Sequence, residues 1–217
     1  MSHLRYIDQF LSFRCAADVI KVAHPVNKFT KEISEAMSVI RRIKPKLLKR
    51  PMDYTVIDLC SGNALVPLIS AFMLPSKWNY AIDKRPRSRP WHEVRRFTYL
   101  HHDIYDKSIS KSIDQIDGPV ILTAVHACQG LAERIAKLYS TTKAEMLVMM
   151  PCCVGKIPQK LSDKLAGQIG RDRLWGLHLS SLVSGRLVQD DDIISPKRLS
   201  VIADQSGTSE EEEQVAT

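Results

Sequence analysis

Two carboxylates and two short cysteine-bearing stretches carry the chemistry available to this chain. Asp58 closes the run Tyr54-Thr55-Val56-Ile57, and beyond Leu59 come Cys60, Ser61, Gly62 and Asn63, which are small or turn-prone. An apolar helical pattern follows at Leu65, Leu68, Ile69 and Phe72. Such a strand, tight turn and helix lets a ligand approach backbone N–H groups at a helix N-terminus. Asp83 ends the next strand candidate, about 20 residues past the glycine turn, where a carboxylate can accept both hydroxyls of a ribose. Together they suggest a nucleoside-containing cofactor. Farther on, His126 and Cys128 follow a fourth strand candidate, and Pro151, Cys152 and Cys153 follow a fifth.

The elements that must position these groups alternate. The β-branched residues Thr55, Val56 and Ile57 suit a buried strand, predicted over 55–59. Further strands are predicted over 79–82, 97–100, 119–125 and 145–150, with a helix over 131–139. The alternation implies an α/β fold with a doubly wound, mostly parallel sheet and helices on both faces. Residues 1–50 read as a helical extension: Ile7, Phe10, Leu11 and Cys15 recur at helical spacing, as do Phe29, Ile33, Met37 and Ile40, and Pro25 divides the two. The main domain is expected over 51–203. It closes with a helical region over 162–182 and two short strands near 187–188 and 199–203. Residues 204–217 are expected to be an acidic, disordered tail.

The stretch Asp58-Leu59-Cys60-Ser61-Gly62-Asn63 resembles motif I of the Rossmann-like S-adenosylmethionine-dependent methyltransferases. The likeness continues through Asp83, His102-Asp103-Ile104, Val125-His126-Ala127-Cys128 and Pro151-Cys152-Cys153. The His-x-Cys and Pro-Cys-Cys stretches are similar to those of one branch, which includes the eukaryotic enzyme that methylates a tRNA acceptor-stem ribose 2′-hydroxyl and several methyltransferase-like proteins of unsettled substrate. The resemblance implies a seven-stranded sheet ending in an antiparallel hairpin strand, and S-adenosylmethionine as cofactor. It places Asp58, Cys60, Ser61, Gly62, Asn63, Asp83, Lys84, Asp103 and Ile104 around that cofactor, with Asp103 reaching the adenine amine. Three positions depart from the branch: Cys60, Ala64 and Gln129 stand where it has glycine.

Charge points to the partner. The net charge is +7, and it rises by five to +12 for residues 1–203 once Asp204 and Glu210, Glu211, Glu212 and Glu213 are set aside. A basic body favours a polyanion, nucleic acid first. Its cations gather in the segment Lys84 to Arg96. There Arg85, Arg87 and Arg89 alternate with prolines and Trp91, a mixture able to bind phosphates and stack on a base. RNA is therefore the expected partner and substrate. No stretch is apolar enough to span a bilayer. A cytoplasmic, reducing setting follows, in which the five cysteines read as thiols.

Methyl transfer from a sulfonium is an in-line displacement in which the protein mainly aligns nucleophile and methyl group. His126, Cys128, Cys152 and Cys153, on two neighbouring loops, are the candidate catalytic set. Imidazole is the group among them that is both basic and largely neutral near pH 7. Pro151 is expected to fix its turn beside the substrate. Three readings compete: a methyltransferase acting on RNA, one acting on a protein or small molecule, and zinc binding by His126 with the three cysteines. Vicinal cysteines chelate one ion poorly, so no metal is assigned.

Overall fold

The computed structural model describes residues 4–157 and 163–205. Three helices come first: α1 (Arg5–Leu11), α2 (Ala16–Ala23) and α3 (Phe29–Lys49). Then strands and helices alternate as β1 (Thr55–Leu59), α4 (Leu65–Met73), β2 (Trp78–Asp83), β3 (Phe97–His101), α5 (Ser108–Gln115), β4 (Val120–Cys128), α6 (Gly130–Thr141) and β5 (Ala144–Cys153). The end comprises α7 (Asp163–Ile169), α8 (Arg171–Leu182), β6 (Arg186–Gln189) and β7 (Leu199–Asp204).

All seven strands join one sheet in the order β3-β2-β1-β4-β5-β7-β6. The first five pair in parallel, and β7 enters antiparallel to β5 and β6. Alternating side chains feed two cores. Val56, Ile121 and Val148 face α1 through α4, whereas Ile57, Leu122 and Leu147 face α5, α6 and α8. Helix α3 packs Ile33, Met37, Ile40 and Ile43 into the first core. The leading helices thus share their apolar face with the sheet.

The start and end of the described chain are joined by a buried polar knot. Asp190, just past β6, accepts hydrogen bonds from Tyr6 Oη at 2.7 Å, Ser38 Oγ at 2.6 Å and Arg42 Nη1 at 2.9 Å. Burial pushes the Asp190 carboxyl up, but bonds from Ser38, Tyr6 and Arg42 outweigh it and hold the group below the ordinary carboxylate range.

Several expectations need correction. The fourth and fifth strands run farther than predicted, so His126, Cys128, Pro151, Cys152 and Cys153 lie in paired strands rather than loops. The register explains how. Val125 pairs with Met150 and Ala127 with Pro151, which leaves His126 as an extra residue on β4. Cys128 then pairs with Cys153, which leaves Cys152 extra on β5. Two bulges, one on each strand, cancel in register. Each re-aims a side chain, as bulges near active sites commonly do. Nor are all five cysteines separate thiols: Cys128 and Cys152 form a disulfide, with Cα atoms 5.5 Å apart. The helical region expected from Ser162 divides at Gly170, whose φ of +85° an L side chain resists; Ser162 itself lies outside the described residues. Asp204 belongs to β7, opposite Met146, and the remaining acidic tail lies outside the described residues.

Replacing Asp190 by alanine should leave Arg42 buried without its partner. The expected cost is about 3–5 kcal/mol, read as a lower urea midpoint with an unchanged slope. Because the folded carboxyl ionises below its unfolded counterpart, Asp190 contributes stability above the unfolded pKa. That stability is lost as pH falls through the folded pKa, and Asp190→Ala should lack this acid limb.

Candidate active site

Strand order reverses between β1 and β4, and a crevice opens at the carboxyl ends of the strands, as in other doubly wound sheets. A cavity of about 850 Å³ fills it, within the usual range for ligand pockets. The β1 turn forms one wall, with Asp58, Cys60, Ser61, Gly62 and Asn63 all lining it. Gly62 has φ +53°, and nothing lies within 4 Å of where a Cβ would be. Glycine is needed there for its conformation, and it leaves the backbone open to a ligand. Cys60 and Ala64 take φ +59° on either side, and Gln129 takes +47° beyond β4. All three positions at which glycine was expected thus hold positive φ.

The carboxylates are individually fixed. Asp83 is 4% exposed. Its Oδ2 accepts the Gly62 N–H at 2.7 Å and its Oδ1 the Arg85 N–H at 2.8 Å, which ties the β1 turn to the β2 tip. Asp103 accepts the Tyr105 N–H at 3.0 Å and pairs with Lys84 Nζ at 3.0 Å. The Tyr105 N–H, then Lys84, hold its carboxyl below the ordinary value. Asp58 is wholly buried and accepts Thr123 Oγ1 at 2.7 Å. Burial drives its pKa up to about 7, with Asp83 adding to the rise and the Thr123 bond opposing it. Burial, then Asp83, raises the Cys60 thiol to about 12, which makes it an inert wall group.

Sequence reasoning missed the acidic residues that α3 brings. Glu32, Glu35 and Ala36 line the cavity. Glu32 Oε2 accepts Asn63 Nδ2 at 2.6 Å, and Asn63 Oδ1 accepts Arg89 Nη2 at 2.6 Å. Glu35 is completely buried and meets His126 Nε2 at 2.8 Å. The only sequence signal was an acidic pair on the first turns of an amphipathic helix, a pattern that helix dipoles alone explain.

Of the predicted residues, Asp58 to Asn63 without Leu59, Asp83, Lys84, Arg85, Arg87, Asp103, Ile104, His126 and Cys128 line this one cavity. Pro151 and Cys153 line a separate crevice against Trp175 and Pro196, and Cys152 lies in neither lining. Arg89 is engaged by Asn63 and by the Pro25 carbonyl at 3.0 Å. Trp91 stacks on Tyr99 with ring centroids 5.1 Å apart and planes 2° apart, and its Nε1 donates to the Arg87 carbonyl. Among the described residues, the sulfurs of Cys128, Cys152 and Cys153 lie within 4.8 Å of one another, without His126.

Geometry and electrostatics suit a cationic ligand carrying a ribose. Glu32, Glu35, Asp58, Asp83 and Asp103 surround the cavity, and basic residues gather at its mouth. The class is a Rossmann-like α/β fold with a ligand crevice at the switch in strand order. Residues 28–160 match the sequence profile of the family described as "Methyltransferase domain". The chain belongs to that family. S-adenosylmethionine, the methyl-donating cofactor expected from the sequence, fits the acidic, Gly62-lined wall.

No protein of curated function matches the chain in sequence. Among solved structures, a fibrillarin/Nop5p complex is similar over 73% of this chain and 78% of that one, at 13% identity and a TM-score of 0.48. A SAM-dependent methyltransferase from Aquifex aeolicus is similar over 86% and 96%, at 12% identity and a TM-score of 0.47. TrmK of M. capricolum, solved with its cofactor product S-adenosylhomocysteine, is similar over 73% and 65%, at 12% identity and a TM-score of 0.39. No described helix is long and apolar enough to cross a membrane.

The Asp58 shift has a measurable sign. Its carboxyl ionises near 3.8 in the unfolded chain and near 7 when folded. Between those values the folded state holds a proton that the unfolded state has lost. Its contribution to stability therefore falls as pH rises through that window and levels off above it. Asp58→Asn should flatten this fall in a series of urea titrations across that range. An unchanged pH dependence would place the shift elsewhere.

Proposed function

We propose that this methyltransferase uses S-adenosylmethionine to methylate RNA. One observation carries the RNA reading: the segment after β2 leaves Lys84, Arg85 and Arg95 exposed, and the first two stand at the cavity mouth. They belong to a body of net charge +12, five above the whole-chain value of +7. Arg89 and Trp91 are occupied within the protein. Lys84 and Arg85 pair with Asp103 and Asp83 but keep most of their side chains in solvent, so they and Arg95 carry the phosphate contacts in this reading.

When bound, the cofactor supplies an activated methyl group on a sulfonium. Asp83, already oriented by two backbone N–H groups, holds the ribose hydroxyls with its remaining lone pairs. Asp103 and Ile104 flank the adenine. The Glu32 carboxylate offsets the cofactor's positive charge. His126 then stands on the opposite wall, beside the acceptor, as hydrogen-bond partner or base. Cys128 shapes the pocket wall next to it. Cys152, disulfide-bonded to Cys128, ties the end of β5 to β4, with the free Cys153 thiol beside them.

The deciding experiment incubates the protein with methyl-labelled cofactor and separates RNA, protein and metabolite fractions. Label in RNA is the expected result; label confined to either other fraction would overturn the substrate. Charge-assisted hydrogen bonds contribute about 1.5–3 kcal/mol each, so Asp83→Ala should weaken cofactor binding roughly tenfold or more by calorimetry. Its melting temperature should also fall, because Gly62 and Arg85 lose their acceptor.

RNA affinity should fall steeply with salt, since each phosphate contact releases counterions. Replacing Lys84, Arg85 and Arg95 together should reduce the slope of log affinity against log salt by about 2. A slope indifferent to the triple replacement would point to another surface.

A further inference from the structure

Glu35 lines the cavity completely buried, and its Oε1 has no hydrogen-bond partner, a state that this atom shares there with Ser61 Oγ and Arg87 Nε. Its Oε2 lies 2.8 Å from His126 Nε2, and Lys31 Nζ approaches Oε1 at 3.4 Å. Lys31 also lies 3.4 Å from the same imidazole nitrogen. One nitrogen cannot donate to a carboxylate and accept from an ammonium at once. The shorter contact decides: an ionised Glu35 can only accept, so Nε2 carries the hydrogen. His126 is held in that position by its φ of +64° and by the β4 bulge, which turns its ring toward α3.

We infer that Glu35 is the positioning residue for His126, fixing the ring in the Nε2–H tautomer so that Nδ1 is its basic nitrogen at the methyl-acceptor side of the cavity. This rests on the proposed methyl transfer to a hydroxyl. His126 Nδ1 takes the hydroxyl proton as the acceptor oxygen forms the new C–O bond. The C–S bond breaks with its electron pair going to sulfur, so the sulfonium becomes a neutral thioether. The positive charge passes to the imidazolium, beside the Glu35 carboxylate. A carboxylate behind an imidazole plays this orienting and stabilising part in acyl-transfer triads. The ionisable groups in contact with the His126 ring are Lys31 and Glu35, both from α3. Asp58 shares the cavity lining with it, and the neighbouring Cys128 and Cys152 are disulfide-bonded and do not titrate.

The test separates this inference from the function it rests on, because its first readout needs no substrate. Imidazole ¹⁵N shifts of the wild-type protein should report a protonated Nε2 and a bare Nδ1 for His126 at neutral pH. The opposite tautomer overturns the inference without any variant. In Glu35→Gln the tautomer preference should weaken, while affinity for S-adenosylhomocysteine stays within about threefold of wild type by calorimetry. Label transfer to total RNA at saturating cofactor should fall at least tenfold through kcat, with KM little changed and activity partly restored in Glu35→Asp. An unaltered tautomer, or a loss of cofactor affinity without a change in tautomer, would make Glu35 a structural group or a cofactor ligand instead. Failure of label transfer in the wild type, with the tautomer as expected, would count against the RNA reading alone.

Discussion

The reversal of strand order between β1 and β4 is the constraint on which the site depends. The chain runs outward from β1 through β2 to β3 and then crosses back to pair β4 with the free edge of β1. At that seam Asp58 and Thr123 stand directly opposite each other and share a buried hydrogen bond of 2.7 Å. A carboxyl kept at a pKa near 7 can stay protonated there, which removes most of the penalty of burying it. Because β1 and β4 are held together at this point, their continuations must diverge. The β1 turn goes to the Gly62 side of the cavity, and the end of β4 goes to the His126 side.

Helix α3 completes the enclosure, and its two ends have separate tasks. The first half places Glu32 and Glu35 over the crevice, against Asn63 and His126. The second half anchors the helix. Arg42 bonds to Asp190 and Lys46 to Asp204, joining α3 to the far hairpin. A helix so anchored cannot slide without breaking a buried polar knot. Its acidic residues are therefore fixed relative to the strand tips, as a preorganised electrostatic wall requires.

Most of the sheet was legible because buried parallel strands are short, apolar and β-branched, and their ends are marked by Asp58 and Asp83. The cofactor wall was legible for the same reason: a turn and a strand-tip carboxylate sit at fixed offsets within one βαβ unit. The acceptor side was not. His126 meets Glu35 across 91 residues of chain, and no local spacing encodes that encounter. The two bulges were equally hidden, since Val125 to Cys128 and Met150 to Cys153 read simply as strand followed by loop. Only the pairing of β4 with β5 reveals that His126 and Cys152 are each one residue too many. The basic segment was legible as charge but not as structure, because Arg89 serves Asn63 and Trp91 serves the ring stack with Tyr99.

The departures from glycine now have a physical meaning. Cys60, Ala64 and Gln129 occupy left-handed or neighbouring backbone, and so does His126. For a residue bearing a Cβ, that conformation costs on the order of 1–2 kcal/mol. Two of the four, Cys60 and His126, line the cavity; Ala64 lies between Asn63 and Leu65, which line it, and Gln129 follows directly after Cys128, which also does. Met52, Arg96 and Ser184 also take positive φ, away from the cavity; at the cavity, such strain suits a place where geometry is fixed for function rather than for stability. Here it is sustained by the bonds around it: Ser61 N–H to the Ile82 carbonyl, Gly62 N–H to Asp83, and Ala132 N–H to the Gln129 carbonyl. Side chains at these positions disfavour that backbone relative to glycine. The turn is held in its ligand-facing form by these bonds, and the imidazole against Glu35 by their own contact, before any cofactor arrives.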